Sequence, residues 1–236
     1  VLVKGNINDC LDLAGQIFSR IGYHNCCTSN IYNPYQIEGS KTIAFEIFEQ
    51  MEDVPDWIAV PVGGGSFLSA VAKGFLELKS ASKINAIPKL LAVQASNCAP
   101  FSEAFSTDGI IKEFKNRKKT IAFTIALPYP PDGVMALEYL RQSKGCAITL
   151  TEDEIMEAVL RLSTQYGILA EPSGAISFAG ISKALAEGII QPGEKSLGII
   201  TGTGLKTIDI FRPKSGEHVI MCHNNVDHIL KKLNTR

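Results

Sequence analysis

The run WIAVPVGGGSFLSAVAKGFLEL, followed after Pro88 by KLLAVQ, constrains the fold more than any other part of the chain. WIAVPV (57–62) is a short β-branched run of the kind buried on both faces of a sheet. Three glycines follow, then a helix with Leu68, Val71, Ala72, Phe75 and Leu78 along one side, then the second apolar run. Strand, glycine turn, helix and strand within roughly thirty residues is the length of a βαβ unit, which lays its two strands parallel. A tight turn needs one glycine or two, so the third requires its own reason.

The same alternation continues on both sides. Asn6 and Asn8 are candidate caps for a helix carrying Leu11, Ala14, Phe18 and Ile21, closed by Gly22. HNCCTSNIYNPYQIEGS (24–40) is rich in turn formers and predicts an extended connection. From Lys41, the positions Ile43, Ile47, Phe48 and Met51 mark an amphipathic helix. KEFKNRKK (112–119) reads as a solvated charged face. Asp132 is predicted to cap a helix with Val134, Leu137 and Leu140, and GCAITL (145–150) to form a strand. Thr151 and Glu154 make a capping box for a helix that carries Ile155, Val159 and Leu162 and ends near Gly167. Ser173 is predicted to cap a further helix reaching about Glu187, before the turn QPGE, a strand SLGIIT and the turn GTGLK. Strands alternating with helices give an α/β protein, three layers α/β/α around a mostly parallel sheet.

A net charge of −1 argues against nucleic acid as the main partner. With no apolar stretch of spanning length and no signal-peptide pattern, a soluble, cytoplasmic protein away from membranes is expected. The six cysteines, Cys10, Cys26, Cys27, Cys98, Cys146 and Cys222, form no CxxC and read as reduced thiols. His218, Cys222, His223 and His228 in the tail fit no zinc spacing, so no metal is expected. The opening VLVKGN, apolar and without methionine, reads as the interior of a longer protein.

Two glycine turns follow buried-type strands: Gly63-Gly64-Gly65-Ser66 and Thr201-Gly202-Thr203-Gly204. In a parallel sheet both lie at carboxyl ends, where ligands bind. A helix starting just past Ser66 would aim free N–H groups and its positive end at that crevice, and successive glycines would let the backbone close around a phosphate. The alternative is a tight strand–helix turn with no ligand. Nucleotide signatures fail. GxGxxG would need glycine where Leu68 stands, and Leu205 separates Gly204 from Lys206 where a P-loop needs them adjacent. There is no GxSxG elbow, and SASK (80–83) lacks the supporting β-lactamase motifs.

NPYQIEGSKTIAFEIFEQM, PDWIAVPVGGGSFLSAVAKGFLEL, ILAEPSGAISFAGI and IITGTGLK, in that order, resemble threonine synthases and, more broadly, the fold type II pyridoxal-phosphate enzymes of the tryptophan-synthase-β fold. The resemblance implies pyridoxal phosphate as cofactor and an amino-acid substrate. It implies that Gly63, Gly64, Gly65 and Ser66 hold the cofactor phosphate and that Thr201 offers its hydroxyl to the pyridine nitrogen. Glu171 and Ser173 would sit beside the cofactor face and cap the following helix, while Lys41 and Thr42 of GSKT would position a helix at a domain junction. It implies further that residues 1–30 trail from a smaller N-terminal domain and that residues 31–236 form the large cofactor domain. The family's Schiff-base lysine would lie upstream of Val1, so no catalytic lysine is expected here and this chain alone would be inactive. Relatives are often dimers, which makes a homodimer an expectation. The implied reaction converts O-phosphohomoserine and water to threonine and phosphate. Threonine or serine dehydratase, another ammonia-lyase and cysteate synthase are rivals, because GGGS departs from the threonine-synthase form, in which asparagine commonly follows the first glycine. A non-catalytic cofactor-binding module is the alternative of a different class.

Overall fold

The computed structural model describes residues 2–51, 53–107, 109–211 and 225–233. Four strands, β1 (Trp57–Pro61), β2 (Lys89–Ala95), β3 (Cys146–Leu150) and β4 (Ser196–Gly198), form one parallel sheet in the order β3-β2-β1-β4. Side chains alternate across it. Ile58 and Val60 of β1 and Leu90 and Ala92 of β2 face one side; Trp57, Ala59, Leu91, Val93 and Ala95 face the other.

On the first face pack α3 (Thr42–Gln50), α4 (Ser66–Ser80) and α6 (Gly133–Gln142), with Phe75, Leu68, Leu137 and Leu140 fully or almost fully buried. The second face is covered by α7 (Glu152–Tyr166) and α8 (Pro172–Ala186). Two apolar faces each covered by helices are the expected three-layer α/β/α arrangement. Two glycines set the closeness of the layers. A Cβ at Gly180 would stand 2.6 Å from Val93 Cγ2, and one at Gly74 2.5 Å from the Lys41 carbonyl oxygen, which seats α4 on the start of α3 at the GSKT motif. Lys41 Nζ is held there by Glu38 at 2.6 Å and Glu77 at 2.8 Å.

The remaining helices are α1 (Ile7–Ile21), α2 (Gln36–Ser40), α5 (Pro100–Ser106) and α9 (Val226–Leu233). Asn6 caps α1 in a capping box and Gly22 closes it in the left-handed conformation, and the Thr151–Glu154 box and Gly167 do the same for α7. Three expectations need correction. The connection 24–40 is not extended throughout, since α2 forms directly after Pro34, burying Ile37. Ser173 does not cap α8: Glu171 is its N-cap residue, neither makes a side-chain cap bond, and Pro172 opens the helix with a fixed φ and no N–H to satisfy. Asp132 stands at the N-cap of α6, yet its carboxyl is spent on Asn30 instead.

Cys10, Cys26, Cys27, Cys98 and Cys146 are free thiols, and burial pushes Cys146 up to about 11, far from a reactive thiolate. Cys222, His218, His223 and the side chain of His228 lie outside the described residues. Among the described residues no helix is long and apolar enough to cross a membrane.

Candidate functional site

The sheet order fixes where a crevice must open. From β1 the chain moves outward to β2 and β3, then returns to place β4 on the other side of β1. The connections therefore diverge between β1 and β4, at whose carboxyl ends a ligand is accommodated. The β1–β4 pairing ends before Pro61. Trp57 N–H donates to the Lys195 carbonyl on the β4 side, and Pro61, four residues on with the same facing, has no N–H to continue that ladder. Val62 N–H, facing the other way, still bonds Val93 O at 3.0 Å.

Both glycine turns meet at this split. A cavity of about 540 Å³ is lined by Gly63, Gly64, Gly65, Ser66 and Phe67 on the β1 side and by Ile199, Ile200 and Thr201 on the β4 side. Ile125, Leu127, Pro131 and Asp132 form another wall, and Thr28 and Ser29 a further one. The volume suits a small cofactor.

The three glycines have different reasons. Gly65, the N-cap residue of α4, has φ +98°, and a Cβ there would stand 2.9 Å from the Asp132 carbonyl oxygen. A Cβ on Gly63 would press to 3.1 Å against Ile125 Cα. At Gly64 it would find only ordinary contact, 3.4 Å from Pro131, with negative φ. Packing thus explains two of the glycines and leaves the middle one to the cavity itself.

The turn's polar groups are divided. The carbonyls of Gly64 and Gly65 are occupied by Asp132 N–H at 2.9 Å and Ser69 N–H at 3.1 Å. Among the described residues no acceptor meets the N–H groups of Gly64, Gly65, Ser66 or Phe67, and α4 has no side-chain cap. Unpartnered donors at the positive end of a 15-residue helix are an anion cradle. A phosphate-bearing cofactor fits this donor set.

Behind the turn, fully buried Gln94 donates from Nε2 to Val62 O at 3.0 Å and accepts Ser102 N–H at 3.0 Å. It fastens the root of the glycine turn to α5. Gln94→Leu would orphan both groups, at about 1–3 kcal/mol each, so a loss of about 2–6 kcal/mol is expected in urea unfolding.

Glu171 and Ser173 do not line the cavity. They stand one layer behind Thr201. Glu171 N–H donates to Gly202 O at 2.9 Å, and a Cβ on Gly174 would lie 3.1 Å from Thr201 N. The Glu171 carboxyl, 4% exposed, abuts Gly202 and lies 3.6 Å from Lys206 Nζ. EPSGA and TGTG therefore meet backbone to backbone, and the small residues of each make the approach possible. Among the described residues no lysine lines the cavity. Lys41 is held protonated by its bonds to Glu38 and Glu77, which raise its pKa.

The sequence did not single out Gln94, Ser29 or the wall 124–131 as part of the site. The prolines at 128, 130 and 131 are the signal that could have marked that wall as a rigid loop.

The family described as pyridoxal-phosphate dependent enzyme matches residues 1–202. The threonine synthase of Methanocaldococcus jannaschii is 40% identical over 237 residues, covering 99% of this chain and 58% of that protein. The threonine synthase of Mycobacterium tuberculosis is 32% identical over 209 residues, 89% of this chain and 55% of that one. The chain thus spans somewhat over half the length of these relatives. Among solved structures, the processed form of threonine deaminase isoform 2 from Solanum lycopersicum shares the fold with a TM-score of 0.70 at 20% identity, over 91% of this chain and 60% of that one. The family match runs through the first glycine turn and into the second, ending at residue 202, and the chain belongs to the pyridoxal-phosphate-dependent enzymes.

Proposed function

We propose that this chain is the cofactor-holding part of a lyase of the threonine-synthase kind, which converts O-phosphohomoserine and water to threonine and phosphate. The observation that carries the cofactor half is the set of unpartnered N–H groups on Gly64, Gly65, Ser66 and Phe67 inside the switch-point cavity. The substrate half rests on the two threonine synthases, similar over most of this chain.

When bound, pyridoxal phosphate supplies the electron sink that lets bonds around a substrate's α-carbon break. Gly63, Gly64, Gly65 and Ser66 hold its phosphate: backbone N–H groups donate, the Ser66 hydroxyl adds a donor, and the α4 dipole favours the negative charge. Thr201 offers its hydroxyl to the ring nitrogen. A neutral hydroxyl, unlike a carboxylate, does not favour a protonated ring, which suits elimination and replacement better than transamination. Ile125, Leu127, Ile199 and Phe67 of the cavity lining would exclude water around a bound ring. Glu171 and Ser173 act from behind, through the shape of the Thr201–Gly202 backbone.

A second reading is a threonine or serine dehydratase, favoured by GGGS at 63–66 in place of the threonine-synthase form. Product analysis on the protein loaded with pyridoxal phosphate separates them. The proposal predicts threonine and inorganic phosphate from O-phosphohomoserine. A 2-oxo acid and ammonia from threonine or serine, with O-phosphohomoserine untouched, would overturn it in favour of the second.

A further inference from the structure

Asp132 is a buried acid that neither the helix cap nor the proposed chemistry uses. Its residue is 5% exposed and it borders the cavity. Both carboxyl oxygens accept Asn30 N–H, at 3.0 and 3.2 Å, and the Ser29 hydroxyl lies beside it. Its backbone N–H donates to Gly64 O at 2.9 Å, and its carbonyl accepts Ala136 N–H at 3.1 Å and crowds Gly65. One residue thus ties the segment around Asn30 and the first turn of α6 to the glycine turn. An anionic side chain has been built into the wall of an anion cradle.

We propose that Asp132 is a positioning residue of the cradle whose carboxyl takes up a proton from water when a dianion binds the glycine turn, so that anion affinity is tied to pH through this one side chain. The inference rests on reading that turn as the phosphate site. A negative charge on the glycine turn and one on Asp132, which lines the same cavity, disfavour each other, and a dianion that is itself a very weak base, such as sulfate, leaves the carboxyl to take up the proton. Burial raises the Asp132 pKa, outweighing the lowering effect of the Asn30 N–H bonds. Among the described residues no charged side chain forms an ion pair with it. Segment 29–31, the glycine turn and the first turn of α6 carry no other titratable group. On α1, Asp9 accepts Asn6 N–H and Asp12 accepts the Tyr32 hydroxyl; with Glu113 they line the neighbouring cavity. Glu138 and Arg141 lie further along α6.

The sign follows from linkage. A bound dianion raises the carboxyl's pKa further, so binding takes up a proton at pH values between the free and bound pKa. Affinity falls as pH rises through that window and is flat above it. Each pKa unit added by the anion is about a tenfold difference in affinity between the two protonation states.

Sulfate, which keeps its charge through the acid-to-neutral range, is the probe, titrated calorimetrically into cofactor-free protein. Wild type is expected to lose about tenfold in affinity across the window, whereas Asp132→Asn, which keeps an acceptor for Asn30, gives a flat profile at the tighter value. An unchanged slope in Asp132→Asn would overturn the inference. Should that variant fold poorly, titration of wild type in buffers of different ionisation enthalpy decides instead: proton uptake on binding supports the coupling, and none refutes it. Gly64→Ala separates the two readings. If it binds sulfate as wild type does, the phosphate site itself is wrong. If it loses sulfate while Asp132→Asn keeps the slope, only the coupling is wrong.

Discussion

Gly65→Ala is expected to cost about 2–5 kcal/mol of stability and to abolish cofactor binding together. Two penalties combine. An alanine at φ +98° is held in a left-handed conformation that costs about 1–2 kcal/mol. Its methyl would also stand 2.9 Å from the Asp132 carbonyl oxygen and 3.0 Å from Ala136 Cβ, and overpacking of that kind costs about 1–3 kcal/mol. Neither neighbour is the free end of a flexible side chain. Relief must come from moving the turn away from α6, which turns the donors of Ser66 and Phe67 away from their shared direction. Urea unfolding and equilibrium dialysis with pyridoxal phosphate check both halves. Wild-type stability would contradict the packing of the turn on α6.

Gly64→Ala is the complementary case, with the functional loss and little of the structural one. The added methyl meets Pro131 at 3.4 Å, an ordinary contact, and the backbone there requires no positive φ. Stability within about 1 kcal/mol of wild type is expected, as for a substitution without strain or buried polar loss. The methyl occupies cavity space against Pro131 and Leu127, so a phosphate can no longer settle on the turn. Hydrogen bonds to a charged group are worth about 1.5–3 kcal/mol each, and losing one lowers pyridoxal-phosphate affinity about 10- to 100-fold. Pyridoxal, without the phosphate, should lose much less. A variant that binds the cofactor normally would show that the middle glycine serves something else.

These contrasts show how far the sequence could be read. β1, the glycine turn, α4 and β2 were legible because apolar period, glycine position and spacing agree within one short stretch. The capping boxes at Asn6 and Thr151 were equally plain, since each depends on residues three apart. Asp132 and Ser173 misled for the same local reason. A residue of cap type before an apolar run predicts a cap, but Asn30, 102 residues away in sequence, competes for the Asp132 carboxyl, and Pro172 already starts α8 at the position before Ser173. Gln94 looked like one polar residue at a strand end. Its role appears only when Val62 and Ser102 converge on it. Thr201 and the glycine turn could be named from their motifs, but their meeting across the β1–β4 split depends on the strand order, which no local pattern encodes.

We propose that the split between β1 and β4 holds the phosphate of pyridoxal phosphate on the backbone of the glycine turn. A crystal structure of the protein with pyridoxal phosphate tests it most directly. Phosphate oxygens are expected within hydrogen-bond distance of the N–H groups of Gly64, Gly65, Ser66 and Phe67, with the ring nitrogen facing the Thr201 hydroxyl. A cofactor bound with its phosphate anywhere else, and those four N–H groups turned to water, would contradict it.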